Sequence, residues 1–225
     1  MKTILIHGAS TAAGWYDMER AGWVNRVHLD ALHVNKESPQ EAISIQNASI
    51  PGNTLLGIMK DIDRVDRYKK LGSVTAILAI GLNESKILQG RNRPQVSLDR
   101  FRTALDEYSG YVESRGGDLV YVGTEVLLQS TIVTENGNTF EDDLVAEYDA
   151  LIEQQAAKTG SPYVSMETLF SQVGTESAIA ADGYHPSALG HELIYRAVKR
   201  QLALRKHGVF EDESEVPADI TGILA

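Results

Sequence analysis

The sequence predicts an α/β protein, a three-layer α/β/α sandwich on a five-stranded parallel sheet, and three observations carry that expectation. Short apolar runs alternate along the chain with longer amphipathic ones, the pattern of βα units whose helices cover both faces of a parallel sheet. One run, Val74-Thr75-Ala76-Ile77-Leu78-Ala79-Ile80, is nearly all apolar, as a strand covered on both faces should be, and this places it at the centre of the sheet. At 225 residues the chain is long enough to bury a real core and suits one domain.

The elements follow in order. The first strand runs from Thr3 to His7 and ends in the turn Gly8-Ala9-Ser10, after which Gly22-Trp23-Val24 begins the packing face of the first helix, with Trp23 in the core. The second strand spans Ala42 to Ile50 and leads into Pro51-Gly52-Asn53; from Asn53 to Leu71, the recurrence of Leu55, Ile58, Met59, Ile62 and Val65 predicts one helix. Val74 to Ile80 is the third strand, followed by Gly81-Leu82-Asn83-Glu84. Ser97 is placed to cap a helix carrying Phe101, Leu105, Tyr108 and Val112, closed by Gly116-Gly117. Leu119 to Val122 is the fourth strand, and the segment Thr124 to Thr139, with a tight turn at Asn136-Gly137, is long enough to form a flap. Leu144, Tyr148, Leu151 and Ile152 stripe a helix that ends at Gly160-Ser161-Pro162, before a fifth strand from Tyr163 to Met166. The last helix starts after Pro186 with Ser187 as its cap; it carries Leu189, Leu193, Ile194, Ala197, Val198 and Leu202 and is expected to dock on the sheet and hold His185 in place. Residues 1–207 read as one domain. Residues 208–225, with Glu211, Asp212, Glu213 and Glu215, read as an acidic tail.

Composition narrows the function. A formal charge of −10 argues against nucleic acid or an anionic membrane as the main partner, since basic surfaces hold both. The absence of cysteine removes disulfides, thiolate nucleophiles and cysteine-ligated zinc. The six histidines, His7, His28, His33, His185, His191 and His207, show no metal-ligand spacing, so neither a metal nor another cofactor is expected. Met1-Lys2-Thr3 looks like the charged opening of an export signal, but the apolar run stops at Ile6, and no stretch is long enough to span a bilayer. The expectation is a cytoplasmic protein, and the oligomeric state is left open.

Asp182-Gly183-Tyr184-His185-Pro186 puts an acid and an imidazole three residues apart on one turn. Such a pair needs a distant nucleophile, and Ser10, at the end of the first strand, supplies one. In a parallel sheet the site lies at the carboxyl ends of the strands, and Ser10, Gly52, Asn53 and Asn83 all follow predicted strands on that edge. A Gly-x-Ser-x-Gly elbow is absent, which excludes the usual α/β-hydrolase arrangement.

With Gly8-Ala9-Ser10 and Gly14, Gly52, Gly81-Leu82-Asn83, and Asp182-x-x-His185-Pro186 in four blocks, the chain resembles the SGNH (GDSL) hydrolases over most of its length. The resemblance implies a flavodoxin-like fold and a serine esterase acting on small or short-chain carboxylic esters through an acyl-enzyme. It implies a triad of Ser10, His185 and Asp182, and an oxyanion hole made by the backbone N–H groups of Ser10 and Gly52 and the side-chain amide of Asn83. Carbohydrate deacetylation, thioester cleavage and lysophospholipid hydrolysis are related alternatives on the same fold. A non-catalytic carbohydrate-binding module is the alternative of another class. The chain departs from the family pattern at Ala9 and Glu84, where aspartate is usual; the missing carboxylate at Ala9 removes a group that helps pin the nucleophile turn.

Taken alone, Ser10 is an ordinary turn serine and Asp182 a turn-forming residue; order and spacing raise both. His7 is expected to be buried beside the site rather than chemical, and His191 to lie near the surface. Trp15 and Tyr16 are candidates to line the cleft and contact substrate. Lys86, Arg91 and Arg93 make the loop after Asn83 basic; solvated charge is the plain reading, and attraction of an anionic or carbohydrate part of the substrate the sharper one.

Overall fold

The computed structural model describes residues 1–70, 72–205 and 208–210. The strands are β1 (Lys2–Gly8), β2 (Ile43–Asn47), β3 (Ser73–Ala79), β4 (Asp118–Val122), β5 (Thr131–Val133), β6 (Thr139–Glu141) and β7 (Tyr163–Val164). The helices are α1 (Trp23–Glu37), α2 (Leu55–Ile58), α3 (Arg64–Lys69), α4 (Leu82–Ser85), α5 (Leu98–Glu113), α6 (Asp142–Thr159), α7 (Met166–Ser171), α8 (Thr175–Ala178) and α9 (Ala188–Ala203). Five parallel strands form one sheet in the order β2-β1-β3-β4-β7, and β5 and β6 form a separate antiparallel hairpin.

The period of two in each strand divides the core. Ile4, Ile6, Ile77, Ala79, Val120 and Val122 face one way and pack with Trp23, Val27, Phe170, Ile194 and Val198 of α1, α7 and α9. Leu5, Val74, Ala76, Leu78, Leu119 and Tyr121 face the other way and meet Leu55, Val65, Phe101, Tyr108, Tyr148 and Ile152 of α2, α3, α5 and α6. A strand buried on both faces must be largely apolar, which is why β3, the middle strand, carries no charged residue and is buried from Val74 onward.

The five sheet strands lie where the sequence places them: β2 and β7 are shorter than expected, β1 and β4 reach slightly further, and β3 is shifted by one residue. β2 stops at Asn47, yet its backbone remains bound to β1: the Ala48 N–H donates to Ile6 O at 2.8 Å and the Ile50 N–H to Gly8 O at 3.1 Å. The single helix expected from Asn53 to Leu71 is instead α2, a 3₁₀ turn at Met59–Asp61, and α3. Gly57, Asp61 and Asp63 are weak helix formers, so the burial of Leu55, Ile58 and Val65 decides where each turn sits. Ser97 stands at the N-terminus of α5 without a side-chain capping bond, whereas Ser187 caps α9 by accepting from the Gly190 N–H at 3.3 Å.

The segment after β4 forms the β5-β6 hairpin, closed through Thr134 and Asn138, with Gly137 at φ +70°. Val209 and Phe210, assigned to the tail by sequence, are buried against the α9 side of the core, so the packed unit reaches at least Phe210. The acidic residues from Glu211 onward lie outside the described residues. Among those described, no helix is long and apolar enough to cross a membrane.

Candidate active site

β1, β2 and β3 are neighbours in the sheet, so the loops that follow them lie side by side at its carboxyl edge. Ser10 is on the first loop, Gly52 on the second, and Asn83 on α4, the short helix that follows β3. Asn47 ties the first two, its Nδ2 donating to Ala12 O at 3.0 Å. Glu84 ties the second and third: it is fully buried and accepts from the Leu55 N–H at 2.5 Å and the Gly81 N–H at 3.1 Å. Burial pushes the Glu84 carboxyl up to about 7 despite these backbone bonds. Glu84 thus spans two segments that each carry a candidate site residue.

Ser10 Oγ donates to His185 Nε2 at 2.7 Å, and His185 Nδ1 donates to Asp182 Oδ2 at 2.5 Å. Ser10 and His185 are buried at 8% and 3% exposure, so water does not compete for the bond between them. Asp182 Oδ1 accepts from the backbone N–H groups of His185 (3.1 Å) and Tyr184 (3.3 Å), which folds the Asp-x-x-His turn on itself. Burial pushes the Asp182 carboxyl up, but the bonds from His185 and Tyr184 outweigh it and hold it below the usual range. The acid is therefore an ionised acceptor that fixes which imidazole nitrogen carries the proton. A serine held against the free nitrogen of a histidine so oriented is the arrangement that activates a hydroxyl for attack.

Three aromatic rings surround the imidazole, with centroids at 4.5 Å for Tyr184, 5.1 Å for Tyr16 and 5.7 Å for Trp15. Tyr16 lies nearly parallel to it at 22° and has φ +66°, a left-handed conformation uncommon for a bulky residue. Trp15 and Tyr16 are about half exposed, so they form a rim beside His185. Arg91 and Arg93 are exposed on the loop after α4. Lys86 is different: half-buried, it donates from Nζ to Asn83 Oδ1 at 3.2 Å.

Several supporting groups escaped the sequence reading. Thr11 donates to the buried Glu125, just past β4, at 2.5 Å, so the turn is anchored one residue beyond Ser10. Burial raises the Glu125 carboxyl. The loop from Gly14 to Gly22 is pinched shut at its neck, where a Cβ on Gly22 would come within 2.3 Å of Gly14 Cα. Inside it, Asp17 accepts from the Glu19, Arg20 and Gly22 N–H groups and pairs with Arg26, which also donates to Glu192 of α9 at 2.9 Å. Burial pushes the Asp17 carboxyl up, but these bonds overcome it and bring it down to about 2.

His191, expected near the surface, is fully buried. Its Nε2 donates to Trp15 O at 2.9 Å and its Nδ1 accepts from the Trp23 N–H at 3.3 Å. It lies one turn into α9, on the face turned toward the nucleophile loop, and satisfies backbone groups there. His7 is buried beneath the site, bonded through Nδ1 to the Tyr108 hydroxyl at 2.9 Å; burial, then Arg64, lower it to about 4. The β5-β6 segment is bound on two sides rather than free as a flap. Leu128 N–H donates to Gly183 O and Phe140 packs on Tyr184 at 5.1 Å, while Thr139 and Ile87 exchange backbone bonds at 2.9 Å. The hairpin therefore joins the Asp182–His185 turn to the loop after Asn83.

A parallel sheet in the order β2-β1-β3-β4-β7 thus carries the Ser10–His185–Asp182 hydrogen-bond chain at its carboxyl edge, with no Gly-x-Ser-x-Gly elbow in the sequence. The model of the GDSL-like Lipase/Acylhydrolase family matches residues 6–193, and the protein belongs to that family of hydrolases. No curated protein sequence matches the chain significantly. Among solved structures, a lipase/acylhydrolase from Enterococcus faecalis is 21% identical with a TM-score of 0.63, over 88% of this chain and 95% of that one. An acetyl xylan esterase from Geobacillus stearothermophilus is 20% identical with a TM-score of 0.64, over 88% and 93%. The psychrotrophic esterase EstA from Pseudoalteromonas sp. is 18% identical with a TM-score of 0.59, over 87% and 93%. At these identities the likeness is one of fold.

Proposed function

We propose that the protein is a serine esterase that cleaves small or short-chain carboxylic esters through an acyl-enzyme. The observation that carries this reading is the continuous hydrogen-bond chain from Asp182 through His185 to Ser10, on a family member's sheet edge. Ser10 Oγ attacks the ester carbonyl carbon as its proton passes to His185 Nε2, and Asp182 stabilises the imidazolium. Collapse of the tetrahedral intermediate expels the alcohol, which takes the proton from Nε2. Water then attacks the acyl-Ser10 carbonyl, giving a proton to Nε2, and a second collapse releases the acid and returns the proton to Ser10.

The charge that develops on the carbonyl oxygen is held by the Ser10 and Gly52 backbone N–H groups and the Asn83 Nδ2. Among the described residues, neither the Gly52 N–H nor Asn83 Nδ2 donates to a protein acceptor, so both are available. The half-exposed Trp15 and Tyr16 beside His185 offer a flat apolar surface of the kind a sugar ring stacks on. This favours, as a second reading, deacetylation of carbohydrate, the activity for which the Geobacillus relative is named.

A p-nitrophenyl ester series of increasing acyl length tests the first reading beside Ser10→Ala and Asn83→Ala. Turnover that vanishes in Ser10→Ala and falls about 10²–10³-fold in kcat for Asn83→Ala is expected. No turnover across the series, with no labelling of Ser10 by a fluorophosphonate, would overturn it in favour of a binding module. Acetylated xylo-oligosaccharides cleaved with much higher kcat/KM than p-nitrophenyl acetate would select the second reading.

A further inference from the structure

We infer that Lys86 is a positioning residue for the Asn83 amide, setting which end of that amide faces the substrate oxygen and adding positive potential behind it. The inference rests on the proposed esterase role of Asn83. A primary amide has two ends of nearly equal size and opposite character, an acceptor oxygen and a donor nitrogen, and a half-turn exchanges them. An oxyanion is stabilised only by the nitrogen end; the oxygen end in the same place repels it. Asn83 therefore needs a neighbour that can tell the two ends apart.

Lys86 has the chemistry to do so. Its ammonium has three donors and no acceptor, so it can bond only to the amide oxygen, and its Nζ lies 3.2 Å from Asn83 Oδ1. With the oxygen held, Nδ2 is directed elsewhere, and it has no acceptor among the described residues. The two side chains sit three residues apart across α4, whose capping by Glu84 fixes the spacing between them.

The placement is costly unless it serves a charge. The Lys86 side chain is half-buried, and among the described residues no carboxylate lies within ion-pair distance of its ammonium. Burial accordingly lowers its pKa, with Glu84 as the opposing influence. A cation held in partial burial against a neutral amide is electrostatically incomplete until negative charge appears nearby, and in acyl transfer that charge appears in the transition state. Arg91 and Arg93, further along the same loop, are exposed and lack this geometry.

The test is a double-mutant cycle with Lys86→Met, Lys86→Arg and Asn83→Ala on a neutral p-nitrophenyl ester. Lys86→Met should lower kcat about tenfold with KM changed less than about twofold, a fraction of the loss expected from removing the donor itself. Affinity for a boronic acid transition-state analogue should fall with kcat/KM, and Lys86→Arg, which keeps a donor-only cation, should recover most of both. In the Asn83→Ala background Lys86→Met should have a clearly smaller further effect, because the positioning part of its role is gone and only its positive potential remains. An undiminished kcat in folded Lys86→Met, a loss confined to KM, or a full loss that persists in the Asn83→Ala background would overturn the inference. If Asn83→Ala itself leaves kcat intact while Ser10→Ala abolishes it, the oxyanion role of Asn83 fails instead, and the two failures are distinguishable.

Discussion

At the scale of single residues, the turn that carries Ser10 is anchored from one residue beyond it. Ala9 cannot anchor the turn, and Thr11 does so through the buried Glu125. Thr11→Val keeps the shape but leaves a buried carboxylate without its hydroxyl donor, and should destabilise the protein by about 1–3 kcal/mol in urea unfolding. A variant as stable as the parent would mean that the turn is held by its backbone bonds alone. That Ser10, Asp182 and His185 meet was legible in the sequence because the chemistry admits few residue types and Asp182 and His185 are local neighbours. Thr11 and Glu125 were not, because 114 residues separate them and neither type signals the other. For Lys86 the plain reading is a solvated loop charge; its nearness to Asn83, three residues before it, is visible in the spacing, but its burial is not. His191 was misplaced because a polar residue on an amphipathic helix is normally outside, and only the fold reveals that the loop around Trp15 covers it.

At the scale of elements, α9 does more than cover the sheet. Its first turns meet the nucleophile loop through His191 and through the Asp17–Arg26–Glu192 network, so the helix that follows His185 is fastened to the loop that follows Ser10. Arg26 and Asp17 are both almost fully buried, and breaking such a pair strands a charge. Arg26→Met should therefore cost about 3–5 kcal/mol, and Asp17→Asn in the same chain should recover part of it. Equal stability of Arg26→Met and the parent protein would show that the network is ornamental. The strands were readable because a twofold alternation or a continuous apolar run is local information. The stretch from Asn53 to Leu71 was not, since its apolar spacing fits one long helix as well as the three short turns that packing selects.

At the scale of the molecule, two buried groups pull stability in opposite directions with pH. His7 is lowered from 6.5 to about 4, so its contribution is present above pH 6.5 and is lost as pH falls toward 4. Glu84 is raised from 4.5 to about 7, so its contribution is present below pH 4.5 and is lost as pH rises toward 7. Each amounts to roughly 3 kcal/mol, and between pH 4.5 and 6.5 they nearly cancel. His7→Gln should uncover a stability that falls with rising pH over that window, and Glu84→Gln one that rises. Urea midpoints measured at half-unit steps check this, and parallel curves for the two variants would sink it.

The Ser10–His185 bond joins residues 175 positions apart. During synthesis the amino-terminal strand emerges early, while the residues that supply its base come out with the last helix. On the proposed reading, the serine until then lacks the base that would activate it. The proposed reactivity thus depends on that last helix being in place, and a chain cut before Asp182 would lack both the acid and the imidazole that meet at Ser10.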